Sequence, residues 1–454
     1  MAVDAAEKKL TEPAGANRAA VAKGGESPLS RRLDGVALPK GGFTFDARAK
    51  ARARLETMGL PVKRDEYWRY TDPAPFNAAT PEELAVTDRA AGDLALFETL
   101  DRLRLVFVDG VLDESASDSL EGQGLTIDLL SRVDVGGAHW AAEIYGNLEA
   151  AGQNPVPRPL AALNTALAVE GVLIRVTGKP ERPVHLVYRR RDKSADVILH
   201  HVILVEKGAE LTLLDTGDVG ARSNIVTEVQ VAEGAHFHHV ASRRTEGARV
   251  ALSHIFARVG ADARFKSFAL AVNGSHMRQE SVIDIVGDDA VAHVAAAVLG
   301  DGSDGTFHHD DTVFVTHAAE RCESRQVFKK VLKNGAVGVF QGKILVKPGA
   351  QKTDGYQISQ ALLLDEDSQF LAKPELEIYA DDVKCSHGST TGALDETALF
   401  YLRSRGVPRD RAIVLLVLSF LADALAEVED EALRNEISER LEGWLTRHTA
   451  AHAG

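Results

Sequence analysis

Cysteine is scarce in this sequence, with only Cys322 and Cys385 among 454 residues. This excludes a secreted scaffold held together by disulfides and is compatible with a reducing compartment. It also means that one chain cannot supply the four thiolates usual for an iron–sulfur site.

The first ten residues lack the apolar core of a signal peptide. The most apolar stretch, 412–425, is too short to cross a membrane. We therefore expect a cytoplasmic protein with no membrane association.

Excess positive charge and the common catalytic motifs are absent as well. The formal net charge is -14, with a sequence pI near 5.6, so the surface repels phosphate backbones and nucleic-acid binding is not expected. No phosphate-binding loop, nucleophile elbow, zinc-binding helix or Cys-x-x-Cys pair occurs in the sequence. These absences favour a non-catalytic protein.

Changes in composition divide the chain into four parts. Residues 1–40 are rich in Ala, Gly, Lys and Glu without a sustained apolar period, which predicts a mobile N-terminus. Residues 41–165 mix helical stretches with short apolar runs and are expected to form a helical or α/β domain. Residues 166–390 carry recurrent β-branched runs, and residues 391–454 switch to a helical period.

The central part predicts a mainly β fold with a β-solenoid core. Its short apolar runs are separated by Gly or Asp followed by Ala, and Gly208-Ala209, Gly234-Ala235 and Gly260-Ala261 are spaced 26 residues apart. Such a repeat with no helix between the strands suits stacked coils that share one core. A β-sandwich also has short strands at short spacings and stays open as an alternative.

The final part predicts three helices. Asp395 is suited to cap the first, which Gly406 and Pro408 end. The second begins near Asp410 and is apolar nearly all round, so it should be buried against neighbouring elements or against another protein. The third places one apolar stripe on its surface, formed by Leu433, Ile437, Leu441 and Trp444.

The strongest chemical cluster is the run Asp381–Gly388, which contains Cys385 and His387. If this stretch is extended, the two side chains project from the same face, because residues two apart on a strand do so. A thiolate beside an imidazole makes a two-point site for a borderline metal such as iron, and Lys384 and His387 favour the thiolate. Two ligands are too few for tight binding. The alternative is a buried cysteine beside a hydrogen-bonded histidine at a strand end.

Other histidines and Cys322 give weaker signals. His236 and His238 share a strand face, so a metal contact is conceivable, whereas the adjacent pair His200-His201 should point to opposite faces. Surface histidines without a metal are the simpler interpretation. Acidic neighbours disfavour a thiolate at Cys322, which we interpret as structural.

Several runs of this sequence resemble one known family. These runs look like motifs of the SufB/SufD family of iron–sulfur cluster assembly proteins, and the sixteen-residue run 373–388 is the most specific of them. The others are WRYT at 68–71, VFQGKI at 339–344, AQKTD at 350–354, TTG at 390–392 and FYLRSRG at 400–406.

The resemblance implies a right-handed parallel β-helix flanked by N-terminal and C-terminal helical domains. It implies a non-catalytic scaffold subunit that pairs with SufB, forms a homodimer when isolated, and docks the ABC-type ATPase SufC, which hydrolyses the ATP. It implies that Cys385 and His387 lie at the SufB interface as ligands of a transient iron–sulfur cluster or iron shared with SufB, with a link to iron acquisition. The docking region for SufC would comprise Phe400, Leu402, Arg403, Arg405, Leu416 and Phe420.

Two other classes of function remain open on the residues alone. A carbohydrate-active β-helix would use charged clusters in an open groove, but such proteins are usually secreted. A structural spacer without metal chemistry is the second alternative. It would hold if neither Cys385 nor His387 affects cluster formation.

Overall fold

The computed structural model describes residues 27–80, 96–217, 220–244, 249–272, 274–303 and 305–450. Its core is a β-solenoid in which consecutive strands alternate between two ten-stranded sheets, so that each coil contributes one strand to each sheet. Within the solenoid these strands pair in parallel. The predicted mainly β solenoid is therefore confirmed. The β-sandwich alternative is wrong, because sandwich sheets are built from antiparallel strands.

The two sheets are called sheet A and sheet B here. In order across sheet A lie β2 (Val111–Leu112), β1 (Leu103–Val108), β6 (Val184–Arg189), β8 (Glu210–Gly217), β10 (His236–Arg244), β12 (Arg264–Val272), β14 (Val291–Asp301), β16 (Glu323–Lys333), β18 (Asp354–Leu363) and β20 (Lys384–Gly392). In order across sheet B lie β19 (Gln369–Ile378), β17 (Val337–Val346), β15 (His308–His317), β13 (His276–Ile285), β11 (Val250–Val259), β9 (Arg222–Val231), β7 (Asp196–Val205), β5 (Val172–Val176), β4 (Leu125–Leu129) and β3 (Glu121–Gly122).

The corner that leads from sheet B to sheet A is built alike in successive coils. In five successive corners, one residue has a φ angle between 53° and 70°, and its backbone N–H donates to a carbonyl oxygen of the next coil at 2.8 to 3.1 Å. Glycine, aspartate and asparagine tolerate this left-handed conformation best. The corner residues are Gly208, Gly234, Asp262, Asp289 and Arg321.

The residue after each corner position points into the solenoid and is small and buried. These residues are Ala209, Ala235, Ala263, Ala290 and Cys322. The spacing in the sequence placed the third corner at Gly260-Ala261, which is wrong by two residues. The coil between β10 and β12 is longer, so that His236 pairs with Arg264, and Asp262 takes the left-handed position instead.

Cys322 therefore fills the position of an alanine in the corner column. Its Sγ lies 3.3 Å from the carbonyl oxygens of Gly287 and Glu320, and burial raises the pKa of the thiol. The side chain is 1% exposed. These contacts agree with its interpretation as a structural cysteine.

The N-terminal part packs helices against the outer face of sheet B and adds strands to both sheets. β1 continues sheet A in parallel with β6, and β4 continues sheet B antiparallel to β5, so the region predicted as a separate domain shares the sheets of the solenoid. Its helices are α1 (Pro28–Asp34), α2 (Phe45–Met58), α3 (Ala74–Asn77), α4 (Leu130–Val133), α5 (Asn147–Ala151) and α6 (Pro159–Leu167). Helix α1 falls within the segment predicted to be mobile, whereas residues 1–26 lie outside the described residues.

The C-terminal part consists of α7 (Glu396–Ser404), α8 (Arg409–Leu425) and α9 (Glu431–Ala450). Asp395 caps α7 as predicted, since its Oδ1 accepts the N–H groups of Thr397 at 2.8 Å and Ala398 at 3.0 Å. Helix α8 packs on the outer face of sheet A near β14 and β16, and the predicted stripe of α9 is buried in the same cluster. Among the described helices, none is long and apolar enough to cross a membrane.

Candidate functional site

The two ends of the solenoid differ in the part of the chain that the structure describes. At the first coils, the sheets end in the short antiparallel strands β2 and β3. At the last coil, β20 is the outermost strand of sheet A and β19 is the outermost strand of sheet B. We call this last coil the open end. An outermost strand presents a row of unpaired backbone groups that suits pairing with another chain.

The two outermost strands are not equivalent for such pairing. Lys384 N–H donates to Thr353 O at 2.8 Å, so the backbone groups of even-numbered residues of β20 face β18 and those of odd-numbered residues face the free edge. In β19, Gln369 N–H donates to Ala336 O at 2.9 Å, so even-numbered residues face the free edge there. One of them is Pro374, which has no N–H to offer. The free edge of β20 is therefore the better template for a partner strand.

Cys385 and His387 lie on β20, so the predicted extended conformation is confirmed. Strand alternation directs both side chains to the interior side of the sheet. Cys385 is half-buried beside the apolar cluster of the last coil, and its Sγ lies 3.2 Å from the position that a Cβ on Gly355 would occupy. His387 pairs in register with the buried Gln357 and is exposed. The pair thus lies at the rim of the solenoid interior, where the last coil meets solvent.

The thiol of Cys385 is not prepared as a thiolate within this chain. Burial raises its pKa, and the negative charge of Asp354 adds to the effect. The expectation that Lys384 and His387 hold the thiolate is therefore not met by the structure. A positive ion or another cationic group at the open end would be needed to favour the thiolate.

Among the other histidines that the structure describes, His200 and His201 are engaged in hydrogen bonds, and His236 and His238 do not form a shared site. His200 and His201 face opposite sides of sheet B as predicted: His200 Nε2 lies 2.9 Å from Glu228 Oε2, and His201 Nε2 lies 3.0 Å from the Tyr188 hydroxyl. Burial lowers the pKa of His238 to about 4, whereas His236 is half-buried and lies 3.7 Å from Glu210. Across the described ranges, no group of three or more His, Cys, Asp or Glu side chains is placed to hold a metal ion.

The residues predicted for ATPase docking fall into two groups. Phe400, Arg403 and Arg405 lie exposed on α7 or just after it, with Leu402 half-buried between them. Phe400 is 73% exposed and its neighbour Tyr401 is 56% exposed. An open groove follows, lined by Phe400, Arg403, Ser404, Gly406, Val407, Pro408 and Arg409.

The second group lies on α8, where Leu416 and Phe420 are half-buried. Phe420 packs against the apolar cluster under the C-terminal helices, and Lys329 Nζ lies 5.0 Å from the centroid of its ring. Phe420 therefore contributes to the attachment of α8, while the four residues of the first group offer the accessible surface.

A buried ionic network under the N-terminal part was missed from the sequence. Arg278 bridges Glu280, at 2.7 Å, and Asp310, which also accepts the hydroxyl of Thr71. Arg158 Nε lies 3.0 Å from Glu280. The network joins segment 66–71, which contains Tyr67, Trp68 and Tyr70, to the outer face of sheet B. The charged pattern of β13 and β15 was its only signal in the sequence.

Comparisons with known proteins agree with this architecture. The family model "SUF system FeS cluster assembly, SufBD core domain" matches residues 188–420. The iron–sulfur cluster assembly protein SufD of Escherichia coli is 28% identical over 409 residues, which is 86% of this chain and 90% of that protein. SufD of Bacillus subtilis is 26% identical over 286 residues, which is 61% of this chain and 65% of that protein.

The family model covers the solenoid from the end of β6 onward, the open end and the start of the C-terminal helices. The matched range of the family model includes Cys385, His387 and the α7 surface, and it covers more than half of the sequence. The chain belongs to the SufBD family of iron–sulfur cluster assembly proteins.

Proposed function

We propose that the chain is the SufD-type subunit of an assembly complex and pairs with a SufB-type chain through its open end. The observation that carries the proposal is the unpaired edge of β20, which bears Cys385 and His387 at its rim. A partner strand added to this edge would form main-chain hydrogen bonds and bring its own ligands next to the two side chains. A second copy of this chain offers the same edge, which accounts for a homodimer when no partner is present.

A proline on the free edge of β20 tests this pairing. In Ser389→Pro the outward N–H is lost, whereas the ladder to β18 uses even-numbered residues and stays intact. We expect binding to the SufB-type chain to weaken at least about tenfold, because a partner strand would lose one donor and meet the proline ring. The measurement is a titration of labelled chain with the partner under anaerobic conditions.

The matched control is Ser389→Ala, which removes the 3.1 Å hydrogen bond from the Ser359 hydroxyl but keeps the backbone N–H. The control should bind like the original chain. Equal affinities for the proline and alanine variants would contradict pairing at this edge.

Cluster assembly at the open end requires ligands from both chains. The soft thiolate and the imidazole suit iron, but two ligands leave at least two positions of a tetrahedral iron free for sulfide or for groups of the partner. The cluster is cargo in this account: it is built between the chains and passed on. The same exposed histidine is the group of this chain best placed to receive iron, which is the proposed basis of the link to iron acquisition.

The ATPase is proposed to dock on α7 and the groove that follows it. Two adjacent exposed aromatic rings with several arginines form the kind of anchor that dominates protein interfaces. Arg403, Arg405 and Arg409 make this surface basic on a chain whose net charge is -14, so the complementary surface should be acidic. ATP hydrolysis belongs to the partner, and only residues 393–395 separate β20 from α7, so movement of the ATPase would reach the open end directly.

A further inference from the structure

The segment Glu66–Thr71 reaches the last coil of the solenoid from the N-terminal part. The Tyr67 hydroxyl donates to the carboxylate of Glu375 on β19. Lys373, also on β19, places its Nζ 2.6 Å from Glu66 Oε1 and 4.0 Å from the centroid of the Tyr67 ring. Three contacts therefore join two neighbouring residues of this segment to one outermost strand.

The same segment is fixed to the strands next to β19. Gln341 Nε2 on β17 donates to the backbone oxygen of Tyr67 at 3.1 Å. The ring of Phe314 on β15 lies 5.1 Å from the Tyr67 ring. Tyr67 is 6% exposed. Because β15 and β17 lie inside the sheet, the segment is a rigid support from which its side chains reach the outermost strand.

In the part of the chain that the structure describes, β19 forms a ladder with β17 alone, and its residues are half-buried or exposed along the whole strand. Outermost strands with few buried contacts open locally at low cost. The contacts from Glu66 and Tyr67 therefore replace the support that a further strand would give.

The position of β19 in turn affects the ligand-bearing strand. Leu376 at the end of β19 packs with Ala380, Val383 and Cys385 in the apolar cluster of the last coil. A shift of β19 would move this cluster and thereby the side chain of Cys385.

We propose that Glu66 and Tyr67 act as a positioning clamp that holds β19 and keeps the open end in the geometry needed for pairing and cluster assembly. The clamp rests on the proposed pairing at β20 and adds a role for the N-terminal aromatic segment. Burial and the hydrogen bond to Glu375 hold the pKa of Tyr67 far above its usual range, so its hydroxyl stays a donor at any physiological pH.

The test compares Tyr67→Phe with the original chain by hydrogen exchange and by partner binding. Loss of the hydroxyl should speed amide exchange in residues 369–378 about tenfold, because a hydrogen bond to a charged group is removed there. Affinity for the SufB-type chain should fall by several-fold, while the midpoint of global urea unfolding stays nearly unchanged. The exchange and binding changes separate a positioning role from a merely structural one.

The matched control is Tyr145→Phe. Its hydroxyl donates to Thr165 O at 2.9 Å and is buried under the same N-terminal part, away from the open end. This control should leave exchange in β19 and partner binding unchanged. Unaltered exchange in residues 369–378 of Tyr67→Phe would overturn the clamp.

A double-mutant cycle between Tyr67→Phe and Glu375→Ala sharpens the result. If the hydroxyl acts through Glu375, the double variant should exchange no faster than the faster single variant. Additive effects would overturn the assignment of Glu375 as the partner. If the original chain does not bind a SufB-type chain at all, the proposed pairing fails, whereas exchange in β19 still decides whether the clamp exists.

Discussion

A complex assembled with His387→Ala is expected to retain less than about a tenth of the iron and sulfide of the original complex. Loss of a proposed ligand should lower metal affinity at least as much as loss of a residue that supports a ligand, which costs about tenfold or more. The effect should be large because Cys385 and His387 are the two ligands that we propose for this chain at the open end. Cys385→Ser should give a loss in the same direction. The measurement is iron and acid-labile sulfide per complex after anaerobic assembly, with the absorption spectrum of the cluster recorded in parallel.

The control for this prediction is His236→Ala. His236 is a half-buried histidine that also lies on sheet A, but on β10, five strands away from β20 in the sheet order. Its removal should leave cluster content unchanged. Full cluster content in both His387→Ala and Cys385→Ser would support the structural-spacer alternative.

Replacement of Arg278 by methionine is expected to lower the free energy of unfolding at pH 7 by about 3–5 kcal/mol, the cost of leaving a buried charge without its partner. Arg278 is 1% exposed, and with Arg158 it balances the carboxylates of Glu280 and Asp310. Its guanidinium also lies 4.3 Å from the centroid of the Trp68 ring, so the N-terminal aromatic segment loses a contact too. Urea unfolding of the isolated chain gives the measurement.

The pH dependence of this loss follows from Glu280. Burial alone would raise the pKa of Glu280, but the charge of Arg278, with His254 and Arg158, holds it at about 2. A carboxylate with a lowered pKa stabilises the fold above its unfolded value of about 4.5, and this contribution disappears as the pH falls towards 2. The difference between Arg278→Met and the original chain should therefore shrink below pH 4.5.

The control is Arg321→Met, which removes an exposed arginine that also has several acidic partners, Asp288, Asp289 and Glu320. Because solvent screens these pairs, the stability should change little. If Arg278→Met lowers the free energy of unfolding as little as Arg321→Met does, the role of the buried network is contradicted.

The repeat and the caps of this fold could be read from the sequence because they depend on local geometry. Left-handed corners favour Gly or Asp, although Arg321 takes this position in a later coil, and the inward position after them favours a small residue. Several coils are therefore visible in the sequence as dipeptides. Asp395 and Gly406 mark α7 for the same kind of reason. The corner at Asp262 was misplaced since two extra residues in one coil leave the local pattern intact.

The sequence predicted only those features of the candidate site that depend on a single strand. Residues two apart share a face, so the common side of Cys385 and His387 followed from extended structure alone. The raised pKa of Cys385 did not, because it depends on the packing of the last coil. The contacts of Tyr67 with Glu375 and of Thr71 with Asp310 join residues that are more than two hundred positions apart. No local pattern in the sequence indicates contacts between residues so far apart. Family membership favours the role in iron–sulfur cluster assembly over the carbohydrate-active alternative.

The central claim, that the chain is a subunit of an iron–sulfur assembly complex, is tested most directly by anaerobic affinity purification from its native cells, with partners identified by mass spectrometry. The tagged chain is predicted to bring down an ABC-type ATPase and a cysteine-richer paralogue. Phe400→Ala should keep the paralogue but lose most of the ATPase, since removal of a central aromatic anchor weakens binding by about thirtyfold or more. Phe45→Ala, which removes an exposed phenylalanine on α2, should keep both partners. A chain that is recovered alone at every salt concentration would contradict the account.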